Sequence, residues 1–305
     1  MTSRTSPPGA RITDERLHAV LAGVQTMAGV DVTGVQLIKF TNNAVFALPA
    51  AGVVVRIAAS ATIADRVDKV IRVARWLEHG DVPAVRLFDL DQPLIIDGLH
   101  VTLWDEAASG GPAPTGGDLA VILRQWHQLA PPEGGLPAWA PMAEIRGRLT
   151  EPDGVGAGDV AYLRDECDRL QEQLGNLSYD LPAGPIHGDA FMGNLIDGVA
   201  GAVICDFDSS CEGPREWDLV PLAVGKLRFD YPGDDYGALA RGYGFDVISW
   251  PGFPVLRRLR ELKLVTSLVP VLGSRAVLRP QWQRRLDTYR DGNQKARWST
   301  YVRAA

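Results

Sequence analysis

Cysteine is scarce in this 305-residue chain. Only Cys167, Cys205 and Cys211 occur, and no two of them form a CxxC pair, so there is no disulfide framework and no cysteine-based zinc motif. They read instead as buried or half-buried thiols. Histidine is nearly as rare: of the five, only His187 lies close in sequence to Cys205 and Cys211. There is no apolar run of roughly eighteen residues, which argues against a membrane span. The opening MTSRTSPPGA lacks the apolar centre of a signal peptide, so a cytoplasmic protein is expected. Long basic runs are absent and the net charge is −6, so nucleic acid is not an expected partner.

What is present is a folded balance, 46% hydrophobic against 22% charged, on a chain long enough for two lobes with cores of their own. Residues 13–29 carry a helical pattern with Thr13 as a cap. The period then shortens. Val35–Phe40, Ala44–Leu48 and Val53–Ala58 are rich in β-branched residues and are separated by turn-like TNN and PAAG, which predicts an antiparallel meander. A helix is expected over Ile63–Glu78, stopped by Gly80 and Pro83. Strands are expected at Val85–Phe88 and at Leu94–Trp104, the latter turned back at Asp97-Gly98. This order is not a series of βαβ units, and a doubly wound sheet is disfavoured. After the Gly/Pro-rich stretch 108–117, helical patterns dominate: Asp118–Leu129, Met142–Arg148, Asp159–Leu174, Arg215–Val224, Asp235–Tyr243, Pro254–Pro270 and Ser274–Tyr289.

Two short pieces interrupt the helices and carry the chemistry. GPIHGDAFMGNLI begins at Gly184, and VICDFDSSCEGP follows from Val203. A hairpin pairing Leu195-Ile196 with Val203–Cys205 brings Asn194 and Asp206 to the same end. An amide oxygen and a carboxylate there can hold Mg²⁺, which keeps waters and substrate phosphates as further ligands. A separate carboxylate, Asp189, can orient an attacking hydroxyl and take its proton, and positioning plus charge stabilisation is most of what phosphoryl transfer needs. Either motif alone reads as an ordinary turn or strand end; together they point to phosphoryl transfer.

The joint pattern resembles the aminoglycoside phosphotransferase family, which is also similar to choline kinases and distantly to protein kinases. The family's HGDxxxxN stands here as His187 to Asn194, and its metal aspartate after an apolar strand as Asp206. The resemblance implies an α+β, protein kinase-like two-lobed fold: a small N-terminal antiparallel β lobe with a helix (1–106, nucleotide-binding) and a larger, mainly helical C-terminal lobe (107–305, catalytic and acceptor-binding). It implies Asp189, Asn194 and Asp206 as the catalytic set, with Asp189 as base facing the acceptor hydroxyl. Asn194 and Asp206 are the implied metal ligands, with Asp208 supporting the metal or the loop. Asp218 is read as structural, bonding to the catalytic loop, and His187 as a loop-shaping residue. LRQWHQL (123–129) and the closing RRLDTYRDGNQKARW extend the likeness.

In the first lobe, Thr41, Asn42 and Asn43 form a phosphate loop without the glycine common among relatives, either contacting phosphate or serving as a plain turn. Arg56, in an apolar strand, matches the cation that relatives place on the α/β-phosphates, and arginine's planar fork suits phosphate. Asp68 is the helix acid expected to pair with it. The backbone of Asp105, Glu106 and Ala107 is expected to read the adenine edge, with Trp104 in the core. The expected cofactors are ATP, with GTP as the alternative donor, and Mg²⁺. The expected acceptor is a hydroxyl compound: an aminoglycoside, sugar, amino sugar or amino alcohol, cationic if it resembles the family's substrates. Asp230, Asp234, Asp235, Asp246 and Glu261 are the candidate acids for it. The alternative is a non-catalytic relative that binds nucleotide or a metabolite as a sensor.

Overall fold

The computed structural model describes residues 13–40, 43–58 and 64–301. Contacts divide the chain into two compact units, and the division is not contiguous in sequence. The first takes the chain up to Pro114 together with Pro131–Leu136 and Gly193–Ser210; the second takes Thr115–Ala130, Pro137–Met192 and everything from Cys211 onward.

In the first unit, helix α1 (Asp14–Ala28) begins at Thr13, whose hydroxyl accepts from the Arg16 N–H, and ends at Gly29, held at φ 68. Its apolar stripe of Leu17, Val20, Leu21 and Val24 is buried against the sheet. Four such side chains at about 1.5–3 kcal/mol each outweigh a cap worth about 1 kcal/mol, so packing decides that this helix forms. Strands β1 (Gln36–Phe40), β2 (Asn43–Leu48), β3 (Val53–Ala58), β4 (Leu94–Ile96) and β5 (Leu99–Asp105) make one antiparallel sheet in the order β1-β2-β3-β5-β4. On β3, Val53, Val55 and Ile57 point into the core, which leaves Val54 and Arg56 on the opposite face. Helix α2 is Val67–His79; the Ile63 expected to start it lies outside the described residues, as do Thr41 and Asn42.

Val85–Phe88 is not a strand. It divides its bonds: the Val85 N–H goes to Ile204, while Arg86 and Phe88 bond to β5, so no continuous ladder forms on either side. The expected hairpin is present, pairing Leu195 with Ile204 and Ile196 with Val203, and belongs to this unit.

The second unit is built from α3 (Gly116–Gln128), α4 (Pro141–Arg148), α5 (Ala157–Gly175), α6 (Glu216–Arg228), α7 (Asp235–Tyr243), α8 (Phe253–Thr266) and α9 (Arg279–Arg290). Helix α6 is central, with Trp217 to Gly225 all buried. The helix expected from Ser274 starts instead at Arg279, because Pro280 fits a first turn and cannot continue a helix begun upstream. A ribbon not foreseen from the sequence pairs Gly184–Ile186 with Cys211–Gly213. Among the described residues no helix is long and apolar enough to cross a membrane. The three cysteines are buried or half-buried, and burial pushes the Cys167 and Cys205 thiols up to about 11.

Candidate functional site

The first unit contains a cavity of about 390 Å³, a size suited to a nucleotide-scale ligand. Its apolar lining comes from Ile38, Val45, Val54, Val85, Trp104 and Phe207, and its polar lining from Lys39, Asn43, Arg56, Asn194, Asp206 and Asp208. Strand alternation explains Val54 and Arg56: two residues apart, they share the face away from α1. A register shift between Leu37 and Lys39 bends β1, and the consecutive residues Ile38 and Lys39 both line the cavity. Lys39 was missed in the sequence reading; the signal was a lysine next to the phosphate-loop segment.

Arg56 forms its ion pair with Asp208, from Nη2 to Oδ2. This corrects the expectation of Asp68, which stands exposed on the first turn of α2. The charged residue of α2 that reaches the Asp208 loop is Lys69, one position on. Its Nζ donates to the backbone carbonyls of Asp208 at 2.6 Å and Ser210 at 3.1 Å. With its amide oxygen turned to Arg56, Asn43 accepts from Nη2 at 2.8 Å and Nε at 3.2 Å. Burial alone would raise the Asp208 carboxyl, but Arg56, then Arg66 and Lys69, hold it below the usual carboxylate range. Asp208 Oδ1 is buried and has no hydrogen-bond partner.

The hairpin positions the remaining oxygen groups. Cys205 donates its N–H to the Asn194 carbonyl at 2.9 Å, which continues the pairing one step beyond Leu195 and sets Asn194 beside the chain that leads from Ile204 to Asp206. Asp206 is held at φ 70, a left-handed conformation uncommon for a residue with a Cβ. Among the described residues no three His, Cys, Asp or Glu side chains cluster as a metal cage. The donors here, an amide, the Asp206 carboxylate and an orphaned Asp208 oxygen, suit a hard cation that also takes waters and phosphate oxygens, as Mg²⁺ does. Trp104 packs on Phe207 with ring centroids 6.0 Å apart, donates to Thr102 and lines the cavity. The N–H groups of Asp105 and Glu106 are spent on Arg86 and Gly52 carbonyls. Asp105 and Ala107 line the cavity and Glu106 does not.

The second unit holds the other half of the motif; the boundary falls between Met192 and Gly193, inside HGDAFMGN. Asp218, fully buried on α6, accepts from the His187 and Gly188 N–H groups at 2.7 Å each and from His127 Nε2 at 3.0 Å. Its neighbour Trp217 donates to the Gly188 carbonyl at 2.9 Å, and Gly188 sits at φ 82. His187 is fully buried and accepts the Asp189 N–H on Nδ1 at 3.3 Å. Both therefore shape the loop, as read from the sequence. Asp189 Oδ1 is bonded by Arg260 Nη1 from α8. Burial would raise its carboxyl, but Arg260, then Lys263, hold it well below the usual carboxylate range.

The acids considered for an acceptor have structural work. Asp234 caps α7 and pairs with Lys226; Asp235 accepts from the Gly116 N–H; Asp246 takes the Tyr236 hydroxyl and Ser249. Asp230 pairs at 3.4 Å with Arg297. Glu261 is buried: Arg228 Nε and Nη2 hold it in a fork at 2.7 and 2.8 Å, and Arg257, four residues before it on the same helix, pairs with it at 2.7 Å.

Comparison with known proteins places the chain in a family. The phosphotransferase enzyme family matches residues 38–262. An amicoumacin kinase solved with AMP-PNP, Ca²⁺ and Ami shares 13% identity over 94% of this chain and 96% of its own, with a TM-score of 0.69. A choline/ethanolamine kinase family protein from Mesorhizobium loti shares 20% identity over 91% and 99%, with a TM-score of 0.57. A choline kinase from Streptococcus pneumoniae shares 16% over 88% and 99%, with a TM-score of 0.60. At these identities the likeness is one of fold, an α+β protein kinase-like fold. No curated protein matches the sequence. With three quarters of the chain covered by the family match and HGDxxxxN in place, the chain belongs to the phosphotransferase enzyme family, of the aminoglycoside phosphotransferase type, and is a phosphotransferase acting on a hydroxyl group.

Proposed function

We propose that the protein is an ATP- and Mg²⁺-dependent kinase of a small hydroxyl compound. The observation that carries this reading is the first unit's cavity, in which an apolar slot and a phosphate-suited set of charges lie together. The adenine occupies the slot between Val54, Val45 and Phe207, near Ala107. Arg56 and Lys39 take the phosphates. Arg56 is pre-set for this by Asn43 and Asp208, so little rotamer freedom is lost on binding. Asn194 and Asp206 hold the metal, with the unpartnered Oδ1 of Asp208 as a further oxygen. Bound there, Mg²⁺ supplies charge neutralisation for the phosphates.

Asp189 orients the acceptor hydroxyl. The hydroxyl oxygen forms the new bond to phosphorus while the bond to the leaving nucleoside diphosphate breaks, and the proton passes to Asp189. A carboxylate held anionic by Arg260 is a weak base, which suffices where positioning carries most of the catalysis. The test is calorimetric binding of ATP with and without Mg²⁺, followed by turnover with acceptors. Asp206→Asn is expected to abolish the Mg²⁺-dependent part of nucleotide binding, and Asp189→Ala to remove turnover while ATP still binds. A wild-type protein that binds no ATP in the presence of Mg²⁺ would sink the reading.

A further inference from the structure

Four of the five acids expected to greet a cationic acceptor are engaged elsewhere, and the groups gathered around Asp189 within the second unit are mainly cations. Arg260 is bonded to Asp189, is only 7% exposed, and keeps a buried Nε with no partner. One turn along α8, Lys263 pairs with Glu144 at 3.1 Å, and Arg148 pairs with the other oxygen of the same carboxylate at 2.6 Å. Arg148, Arg260 and Lys263 thus face Asp189 and Glu144, leaving one positive charge in excess.

A second buried arginine adds to this field. Arg285 on α9 is 3% exposed and has no carboxylate partner among the described residues; it donates to the Ser299 carbonyl, its Nε is unpartnered, and aromatic rings surround it. Burial pulls its guanidinium below the usual value, the signature of a cation short of counter-charge.

We propose that the acceptor is an anionic hydroxyl compound, one bearing a carboxylate or a phosphate ester near the hydroxyl that is phosphorylated, and that Arg260 is the residue that selects it. An anion beside Asp189 meets the excess charge of the cations gathered there; an amine placed there meets Arg260 and Lys263 with like charge. This rests on the kinase reading, with Asp189 facing the acceptor.

The experiment uses the full chain with Mg²⁺ and ATP on acceptor sets matched in frame: glycerol, ethanolamine and glycerate; glucose, glucosamine, glucuronate and glucose 6-phosphate; and kanamycin as a polycation. ATP binding, measured separately, reports on the kinase reading alone. The expected result is the highest kcat/KM for an anionic member, the carboxylate and phosphate arms showing which anion is taken. Arg260→Gln is expected to raise that acceptor's KM about 10- to 100-fold, the loss of a charge-assisted bond, with Arg260→Lys recovering part of it. ATP affinity in each variant checks that the protein is folded. The proposal is overturned if ATP binds and a neutral or cationic member is the better substrate, or if no anionic member is either phosphorylated or inhibitory. It is also overturned if Arg260→Gln lowers kcat on all acceptors alike, leaving KM unmoved.

Discussion

Asp218 offers the sharpest test of how the catalytic loop is held. Its carboxylate accepts from two backbone N–H groups at 2.7 Å and from His127 at 3.0 Å, and the aspartate is fully buried. Replacing it with alanine leaves three donors without acceptors, at about 1–3 kcal/mol each, or roughly 3–9 kcal/mol in all. Against a typical total stability of about 5–15 kcal/mol, the upper half of that range unfolds the unit, so the graded variant is Asp218→Asn. The amide keeps the shape but only one accepting oxygen. In either orientation its NH₂ faces an N–H that it cannot satisfy, for an expected cost of about 2–4 kcal/mol. Because the chain has two units, one melting midpoint does not report a single free energy. The appropriate assay is amide hydrogen exchange of the peptide spanning His187 and Gly188, with turnover measured in parallel. Exchange at these amides should accelerate at least tenfold relative to peptides of the first unit. Turnover should fall about 100-fold, since a displacement of about 1 Å at Asp189 is enough for that loss. Unchanged exchange at these two amides would refute the reasoning, because the carboxylate would then not be what fixes the loop.

Two further outcomes follow from buried charges. Glu261→Gln leaves Arg228 buried without its carboxylate, and breaking a buried pair on one side costs about 3–5 kcal/mol; a lowered midpoint for the second unit in chemical denaturation, tracked by its tryptophans, checks it. The pH dependence of Asp189 has a definite sign: its folded carboxyl lies below the ordinary value of about 3.9, so the stability it adds is present above about pH 4 and is lost as pH falls through the folded value. In Arg260→Gln the main lowering charge is gone and burial dominates, so the acid limb of the rate profile should move to higher pH; a profile superimposable on wild type would show that Arg260 does not set the ionisation.

Local patterns were legible wherever the determinant is local. Asp97-Gly98 places the β4–β5 turn, with both residues at positive φ, and Asp235–Tyr243 forms with the bounds its pattern predicts. The hairpin that carries Asn194 and Asp206 was legible from two short apolar pieces around Asp197-Gly198. Other residues were not, because their partners lie far along the chain. Glu261 has a local i,i+4 partner in Arg257, but its second partner, Arg228 on α6, lies 33 residues away and nothing nearby in sequence marks it. Asp68 was chosen for its position on a helix, and nothing nearby in sequence marked Asp208, 152 residues from Arg56, as the true partner. The acceptor acids failed for a different reason. A loop aspartate looks the same in sequence whether it faces a ligand or caps a helix, and Asp234 and Asp246 turned out to cap and bond.

The displaced partner changes how the first unit can be controlled. In protein kinases the strand cation pairs with a helix acid, so moving the helix breaks the pair and switches the enzyme. Here the acid comes from the loop that follows Asp206, and α2 contributes a cation that grips that loop's backbone through Lys69. A shift of α2 would release the carbonyls of Asp208 and Ser210, and so loosen the loop that carries the partner of Arg56. A carboxylate at position 68 could not substitute for this arrangement: it stands on the exposed side of α2, whereas Lys69 reaches inward, and a backbone carbonyl requires a donor. The exchange of an acid on the helix for a lysine is therefore chemically matched to the exchange of a side-chain partner for a backbone one.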